Sequence, residues 1–357
     1  MDKDCELARV IMDHSLRVKP KEKVLIIAAD AGLSLAKAVF GETLKRGAYP
    51  ILDVEVAGYS YTYFQEANEW QLKYVPKTVI ETKLKWADAY VRIATEDSGL
   101  ELAGIEPKKI SLRSKLMQPY KDLMVDSGRW VLTFYPTVGM AKQAKMSLPD
   151  LYKHYYEACL VDYGMMAKKL KGLEKLLDRG EEIRIIGKKT DLKVKIKGRL
   201  AQACCGECNL PDGEVFLAPQ TSGVNGHIYL DLPTLAYGRE VNGVYLEFHD
   251  GKVVFATADI GNDELQKMLV TDAGASRVGE FAIGTNDQIK QAMRSTIFDE
   301  KIGGTIHMAL GRAFKDKRGG GENRSTIHWD IVKDMRLPGS VLTIDGKVVL
   351  KDGKLLV

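Results

Sequence analysis

The amino-acid sequence predicts an α/β amino-terminal domain with a parallel sheet, followed by a predominantly β (α+β) carboxy-terminal domain. In the first half, short apolar runs alternate with helical patterns, which is typical of βαβ units. Beyond residue 180, apolar residues recur at every second position, as in half-buried antiparallel strands. The chain has 357 residues, more than the roughly 250–300 that one core supports, so we expect two domains, 1–180 and 181–357.

The first half begins with a strand–helix–strand unit, which requires a parallel sheet. An apolar run at residues 24–29 predicts a strand buried on both faces, a helix follows over 34–45, and a strand follows over 50–56. Further strands are predicted at 89–93 and 130–134. The glycine pattern of a dinucleotide-binding turn does not follow the first strand, which argues against a nucleotide site there.

The spacing of apolar residues changes from helix-like to strand-like at the expected domain boundary. One long helical stretch is predicted from Leu148 to Leu177, and it ends at Arg179 and Gly180. Alternating strands follow, and two pairs of them are joined through Asp-Gly, which predicts hairpins. The predicted strands are 182–187, 192–198, 241–248, 252–257, 341–344 and 347–350.

Charge and composition restrict the class of partner. The 52 Lys and Arg against 48 Asp and Glu leave a formal charge of +4, too small for a nucleic-acid-binding protein. No apolar stretch approaches 18 residues and the amino terminus is acidic, so we expect a cytoplasmic protein with no membrane partner.

Cys204, Cys205 and Cys208 include one C-x-x-C without a second pair, which favours reduced thiols near a tight turn over a structural zinc site.

Histidines and carboxylates of the second half form a candidate metal site. His328 and Asp330 are two residues apart, so on a strand both project from the same face. His307 lies in an apolar strand flanked by glycines, where a lone histidine is more often a core residue. Glu214 and Glu280 each follow glycine and precede apolar residues, an unusual place for a charge that is neither paired nor bound to metal. Together these five residues suit one or two Zn, Mn or Co ions.

Five segments in this half resemble, in order, the motifs of the M29 family of metalloaminopeptidases, also called the aminopeptidase T or thermophilic aminopeptidase family. The segments are 190–199, 209–216, 279–280, 299–311 and 323–330. The resemblance implies an α/β amino-terminal domain, a carboxy-terminal metal-binding catalytic domain with two divalent metal ions, and a homodimer. It also implies a peptide substrate with a free amino terminus.

The resemblance assigns roles to particular residues. Its metal-binding positions fall on Glu214, Glu280, His307, His328 and Asp330. One position departs from the family pattern, because the tyrosine expected seven residues after the first histidine is Phe314 here. Phenylalanine has no oxygen, so any contribution of that tyrosine to the metal or the transition state must be absent or come from another group.

The resemblance therefore implies a metal-dependent aminopeptidase that releases amino-terminal residues from peptides through water activated by two metal ions. Glu300 is the candidate catalytic residue, because carboxylates beside metal ions are common general bases; the alternative is an ion pair with Lys301. Lys301 is a candidate for oxyanion stabilisation, although a surface position is the commoner outcome. His227 is a candidate for lining the same cleft, although loop histidines are usually solvated.

Two other functions stay open at this point. Ring-opening dioxygenases of dihydroxypyridine breakdown resemble M29 proteins but hold one iron with two histidines and an aspartate, a set that His307, His328 and Asp330 supply. A catalytically silent metal-binding homologue is the other possibility, in which Phe314 records a lost activity. The presence of both Glu214 and Glu280 favours the two-metal hydrolase.

Overall fold

The computed structural model of the chain describes residues 2–96, 102 and 104–357. The chain forms two compact units, each made of two segments. Unit 1 comprises Met1–Leu160 and Gly206–Pro211, and unit 2 comprises Val161–Cys205 and Asp212–Val357. The boundary that we expect at residue 180 falls at the end of a helix that belongs to unit 2.

Unit 1 contains a five-stranded parallel sheet. Its strands are β1 (Lys23–Ala29), β2 (Tyr49–Glu55), β3 (Ala89–Ala94), β4 (Trp130–Phe134) and β8 (Asn209–Leu210). They lie in the order β2-β1-β3-β4-β8, and each neighbouring pair is parallel. Strands β1 and β3 have a neighbour on either side and are buried along most of their length, as the apolar runs predict.

Helices make up most of the rest of unit 1. They are α1 (Lys3–Val10), α2 (Leu33–Lys45), α3 (Tyr59–Glu66), α4 (Glu69–Lys73), α5 (Lys77–Trp86), α6 (Pro107–Asp126), α7 (Val138–Gln143) and α8 (Leu148–Cys159), with a π-helical turn at Ile11–Ser15 and a 3₁₀ turn at Asp30–Gly32. Helix α2 forms where the apolar stripe predicts it and buries Leu35, Ala36 and Val39. It connects β1 to β2, which completes the predicted βαβ unit.

The single long helix predicted for residues 148–177 is wrong. Helix α8 ends at Cys159, and α9 (Tyr163–Arg179) begins after a short break. Leu160 leaves the helical conformation with φ −98° and ψ 54°. The side chain of Asp162 then caps α9 by accepting a hydrogen bond from the Met165 backbone N–H at 2.8 Å. As its N-cap, Asp162 begins a new helix there, although the Lys- and Leu-rich pattern continues through this point.

Unit 2 contains two antiparallel sheets. The strands of the larger, nine-stranded sheet are β5 (Glu182–Gly187), β6 (Thr190–Lys195), β10 (Val224–Leu230), β11 (Thr234–Ala236), β12 (Arg239–His249), β13 (Lys252–Ile260), β17 (Val341–Ile344), β18 (Lys347–Lys351) and β19 (Lys354–Leu355). Their order is β11-β12-β10-β6-β5-β17-β18-β19, with β13 paired to β12. The pairs β12/β13 and β17/β18 are the two predicted Asp-Gly hairpins.

The smaller sheet of unit 2 has five strands, which are β7 (Gln202–Cys204), β9 (Glu214–Leu217), β14 (Val278–Gly284), β15 (Thr305–Gly311) and β16 (His328–Asp334). They lie in the order β16-β15-β14-β9-β7, and each neighbouring pair is antiparallel. The remaining helices are α9, α10 (Asn262–Leu269) and α11 (Thr296–Asp299). Over the described ranges, no helix is both long and apolar enough to cross a bilayer.

The central strands of the smaller sheet are fully enclosed. Every residue of β14 and of β15 is buried. Alternate residues of the sheet contribute to the large apolar core of unit 2, among them Val215, Phe281, Ile283, Met308 and Ile331. Because successive side chains of a strand point to opposite faces, the residues between them project from the other face. That second face carries the polar groups described next.

Candidate metal centre

The five predicted ligands project from one face of the smaller sheet of unit 2. Residues paired directly across neighbouring strands share a face, as do alternate residues along one strand. The register pairs Glu214 with Gly284, Ala282 with His307, and Ala309 with both Glu280 and Asp330. His328 lies two residues before Asp330 on β16, so it shares this face. The paired positions on β14 and β15 are Gly284, Ala282 and Ala309, whose small side chains leave room for the larger polar ones.

The side-chain atoms of these residues converge on the imidazole of His307. His307 Nε2 lies 3.1 Å from Glu280 Oε1, 3.4 Å from Glu214 Oε2 and 3.9 Å from Asp330 Oδ1. His328 Nε2 lies 3.5 Å from Asp330 Oδ1. His307 has no exposed surface, and the three carboxylates are also buried. The structure therefore brings the five candidate ligands together.

Two groups of ligand atoms share one residue. One oxygen of Glu214, one of Glu280 and one nitrogen of His307 lie within 4.8 Å of one another, and so do atoms of Glu280, His328 and Asp330. Glu280 is thus a member of both groups. Atoms of Glu300, His307 and Asp330 form a further group of this size.

Several buried atoms of this cluster have no hydrogen-bond partner among the described residues. They are Glu214 Oε2, Glu280 Oε2, Asp330 Oδ1 and His307 Nδ1. A buried carboxylate oxygen without a partner carries a large desolvation penalty. Carboxylate oxygens and imidazole nitrogens are the donors that Zn, Mn and Co ions prefer. The donor set and its unpartnered oxygens fit divalent metal ions.

Burial and neighbouring charges shift the pKa values of the carboxylates in opposite directions. Burial raises the pKa of Glu214 to about 8, although Lys301 and His307 oppose that rise. Burial also raises the pKa of Glu300. In Asp330 the effect of burial is outweighed by the charge of His328, which lowers the pKa to about 2. The cluster therefore concentrates acidic groups whose ionisation depends on nearby cations.

The two imidazoles are shifted towards the protonated form. Burial alone would lower their pKa values, but the bond with Glu280 and the charges of Glu214 and Asp330 raise that of His307 to about 9. For His328, the negative charge of Asp330 makes the largest contribution that opposes burial, and the pKa is raised to about 10. Metal ligation requires the neutral imidazole, so a bound cation replaces these protons.

Backbone contacts fix the orientation of two ligand side chains. His328 Nδ1 donates a hydrogen bond to the carbonyl oxygen of Arg312 at 2.7 Å, which leaves Nε2 facing Asp330. Glu280 follows Gly279, where a Cβ atom would lie only 2.2 Å from the carbonyl oxygen of Gly311. The glycine before this glutamate is therefore required by close approach of the backbone.

Lys301 and Glu300 lie inside the same cluster. The surface position expected as the commoner outcome for Lys301 is wrong, because its residue is only 1% exposed. Lys301 Nζ donates to Glu214 Oε1 and, at 2.7 Å, to Glu300 Oε1. Burial alone would lower the pKa of Lys301, but Glu214, Glu300 and Asp212 raise it above its usual value. Glu300 is therefore both ion-paired and next to the candidate ligands.

His227 does not belong to any of these ligand groups. It lies on β10 in the larger sheet, with its ring 5.9 Å from the ring of Tyr245. Together with Lys189, Tyr229, Thr257 and Asp259 these two residues line a separate open pocket. All five cysteines lie in the described ranges, and none of them forms a disulfide. Gly206, next to Cys205, has a φ of 85°, which fits the expected tight turn.

Sequence reasoning missed two members of the cluster. Cys204 is paired with Glu214 across β7 and β9, and its sulfur lies within 4.8 Å of oxygens of Asp212 and Glu214. Asp212 is almost completely buried, and one of its oxygens lies 3.8 Å from Lys301 Nζ. The register between β7 and β9 is what brings Cys204 here, and no local pattern in the sequence encodes it. Asp212 carries a signal, since it lies two residues before a candidate ligand.

An α/β unit with a parallel sheet, followed by an antiparallel unit with buried carboxylates and imidazoles on one sheet face, defines a class of protein suited to binding divalent metal ions. The family model of the thermophilic metalloproteases, M29, matches residues 3–355. The chain belongs to this family, which confirms the resemblance seen in the five sequence motifs.

Relatives and a solved structure agree with this assignment. The chain is 24% identical to aminopeptidase AmpS of Bacillus subtilis (strain 168), over 95% of this chain and 94% of that protein. It is 34% identical to aminopeptidase 2 of Geobacillus stearothermophilus, over 41% of this chain and 37% of that protein. Wild-type AmpT from Thermus thermophilus is similar with a TM-score of 0.86 at 22% identity, over 99% of both chains. That similarity confirms the predicted fold class.

Proposed function

We propose that this chain is a metal-dependent aminopeptidase whose site holds two divalent ions. The observation that carries the proposal is the pair of ligand groups that share Glu280. Glu214, Glu280 and His307 would hold one ion, and Glu280, His328 and Asp330 would hold the other. Two such ions lower the pKa of a bound water and polarise the scissile carbonyl. The metal is Zn, Co or Mn, the ions that carboxylate and imidazole ligands suit.

Glu300 is the group that we assign to proton transfer. One of its oxygens is held by Lys301 at 2.7 Å, and a ligand atom of Glu300 lies within 4.8 Å of atoms of His307 and Asp330. In this role Glu300 takes a proton from the attacking water and delivers it to the leaving amine. Its partial burial supports the role, because burial favours the protonated carboxyl group that must form during the cycle.

The substrate in this proposal is a peptide with a free amino terminus. The curated relatives are named aminopeptidases, which supports release of residues from that end. The one-iron dioxygenase is not favoured, because it needs only two histidines and an aspartate, and it leaves the buried Glu214 and Glu280 without a role. The silent homologue is not favoured either, since every candidate ligand is present. The homodimer and the cytoplasmic location expected from the sequence remain predictions.

The test combines metal analysis with a substrate panel. Protein stripped with a chelator is reloaded with Zn, Co or Mn, the metal content per chain is measured, and hydrolysis of aminoacyl p-nitroanilides is followed. We expect two ions per chain and hydrolysis that depends on them. The matched control is the same substrate with an acetylated amine, which should not be cleaved. Oxygen uptake with an aromatic diol and one iron per chain, without hydrolysis under any metal, would contradict the proposal.

A further inference from the structure

The ammonium group of Lys301 lies among three carboxylates of the acidic cluster. Lys301 Nζ donates to Glu214 Oε1 and Glu300 Oε1 and lies 3.8 Å from Asp212 Oδ1. Burying an ammonium group is costly unless it is paired and hydrogen-bonded. Because a protonated lysine has no lone pair, this residue is not a metal ligand. Its place in the cluster therefore calls for another role.

The contact with Lys301 makes the two oxygens of Glu214 different. Oε1 accepts a hydrogen bond from Lys301, whereas Oε2 has no hydrogen-bond partner among the described residues and lies 3.4 Å from His307 Nε2. A carboxylate can bind through either oxygen, or through both. With Oε1 held by Lys301, only Oε2 is available to the group formed with Glu280 and His307.

The same ammonium group fills a place that suits a cation. Cys204, Asp212 and Glu214 present a sulfur and two carboxylate oxygens within 4.8 Å of one another, and Lys301 lies against the two carboxylates. A thiolate with two carboxylates is an attractive set for Zn or Co. In the native chain the cation at this place is Lys301 itself.

We propose that Lys301 is a positioning residue that acts as a fixed internal cation of the metal centre. It orients Glu214 so that Oε2 faces the candidate metal groups, and it excludes metal from the neighbouring Cys204–Asp212–Glu214 group. This inference rests on the proposed metal centre and adds a determinant of where the ions bind. Substitutions that disturb the outer shell of a metal site typically reduce metal affinity or activity by about 10–100-fold.

The decisive variant is Lys301→Met, which keeps the length and the apolar stem of the side chain but removes the charge. Stripped protein is titrated with Co²⁺, and the stoichiometry, the absorption spectrum and the turnover are measured. We expect one more Co²⁺ per chain than in the wild type, a thiolate-to-cobalt charge-transfer band, and turnover about 10–100-fold lower. The band should disappear in Lys301→Met/Cys204→Ser, because it comes from that sulfur.

Lys333→Met is the matched control. Lys333 is a buried lysine of the same unit, but its Nζ donates to the carbonyl oxygen of Tyr229 and its nearest carboxylate, Asp231, is 4.0 Å away. This variant should keep the cobalt stoichiometry and spectrum of the wild type. If Lys301→Met alone does not fold, Lys301→Met/Glu300→Gln removes one charge of each sign. We expect the same thiolate band from it.

The outcomes separate this inference from the proposed function. A wild type that binds no Co²⁺ overturns the two-metal centre, whereas the thiolate band in the Lys301 variants still supports the exclusion of metal by this lysine. A wild type that binds two ions and hydrolyses peptides, together with Lys301 variants of unchanged stoichiometry, spectrum and turnover, overturns the role of Lys301. Lower turnover without an extra ion or a thiolate band also contradicts the inference, because a merely structural role would give that result.

Discussion

The ring of Phe314 lies against the imidazole of His328, with 5.5 Å between the two ring centroids. Phe314 also contacts Phe216 at 5.5 Å, and almost half of its surface is exposed. The position at which the resemblance to the M29 family implies a tyrosine therefore lies next to a candidate metal ligand. The side chain of Phe314 is therefore only partly enclosed.

Phe314→Tyr should raise peptidase turnover by about 10–100-fold, the range typical of groups that contact a metal's ligands. A phenol at this position would offer a hydrogen bond or a ligand oxygen, and a nearby metal lowers its pKa. Steady-state turnover and metal affinity are measured for both forms. Phe255→Tyr, an exposed phenylalanine on β13, is the control and should change neither quantity. Equal or lower turnover in a folded Phe314→Tyr protein would show that the phenylalanine is not a functional loss.

Replacing His328 by alanine should abolish metal-dependent turnover, with a loss larger than the about 10–100-fold caused by outer-shell changes. The physical reason is that His328 and Asp330 then no longer act together on one ion. His227→Ala is the matched control, because His227 lies on another sheet and belongs to none of the ligand groups. Turnover is measured at saturating metal. A strong loss in His227→Ala, with His328→Ala unaffected, would move the active site to the pocket beside Tyr229.

Metal should raise the melting temperature of the stripped protein. A ligand that binds only the folded state at about 100 times its Kd contributes about 2.7 kcal/mol. Glu280→Gln should lose most of this shift, because Glu280 belongs to both ligand groups. Thermal unfolding with and without Zn measures it, and an unchanged shift in Glu280→Gln would argue against a shared ligand.

Acid should weaken the segment that leads into β16. The Asp272 carboxylate accepts hydrogen bonds from the backbone and hydroxyl groups of Thr326, each at 2.7 Å, and from Ser325 Oγ at 2.8 Å. These bonds, with one from Gly274, hold the pKa of Asp272 well below its usual value. The resulting stabilisation is present above the unfolded pKa of about 3.9 and is lost as pH falls towards the lower folded pKa.

Asp272→Ala should therefore destabilise unit 2 by about 1–3 kcal/mol at pH 7, the usual contribution of hydrogen bonds to a charged group. That corresponds to about 2–4 °C in melting temperature for each kcal/mol. The difference from the wild type should shrink when both are measured near pH 3. Asp316→Ala, an exposed aspartate in the preceding loop, serves as the control. A difference that is independent of pH would mean that the carboxylate charge is not the cause.

The spacing of apolar residues and the turn residues predicted those parts of the fold that depend only on neighbouring positions in the sequence. The apolar run before Asp30 became a central strand, and the Asp-Gly turns at Asp250 and Asp345 became hairpins. The two-residue spacing of His328 and Asp330 also predicted their shared face, because alternation along a strand is local. Helix α9 shows the limit of that reasoning, since the capping residue Asp162 interrupts a pattern that otherwise continues.

Features that depend on register between distant strands could not be predicted in the same way. Ala309 separates Glu280 from Asp330 only because three strands pair in one particular alignment. The burial of Lys301 likewise results from carboxylates that are up to 89 residues away in the sequence, a separation given by Asp212 and Lys301. A lysine between glutamate and isoleucine has no local signature of enclosure. Lys301 is buried because carboxylates from other parts of the chain pair with its ammonium group.

The distribution of the candidate ligands over β9, β14, β15 and β16 has a consequence for biosynthesis. Glu214, Glu280 and His307, the ligands proposed for one ion, all precede β16 in the chain. The group proposed for the other ion also needs His328 and Asp330, which lie on β16 itself. During synthesis the first group is therefore complete one strand earlier than the second, and the full pair of ions can bind only after β16 has been translated.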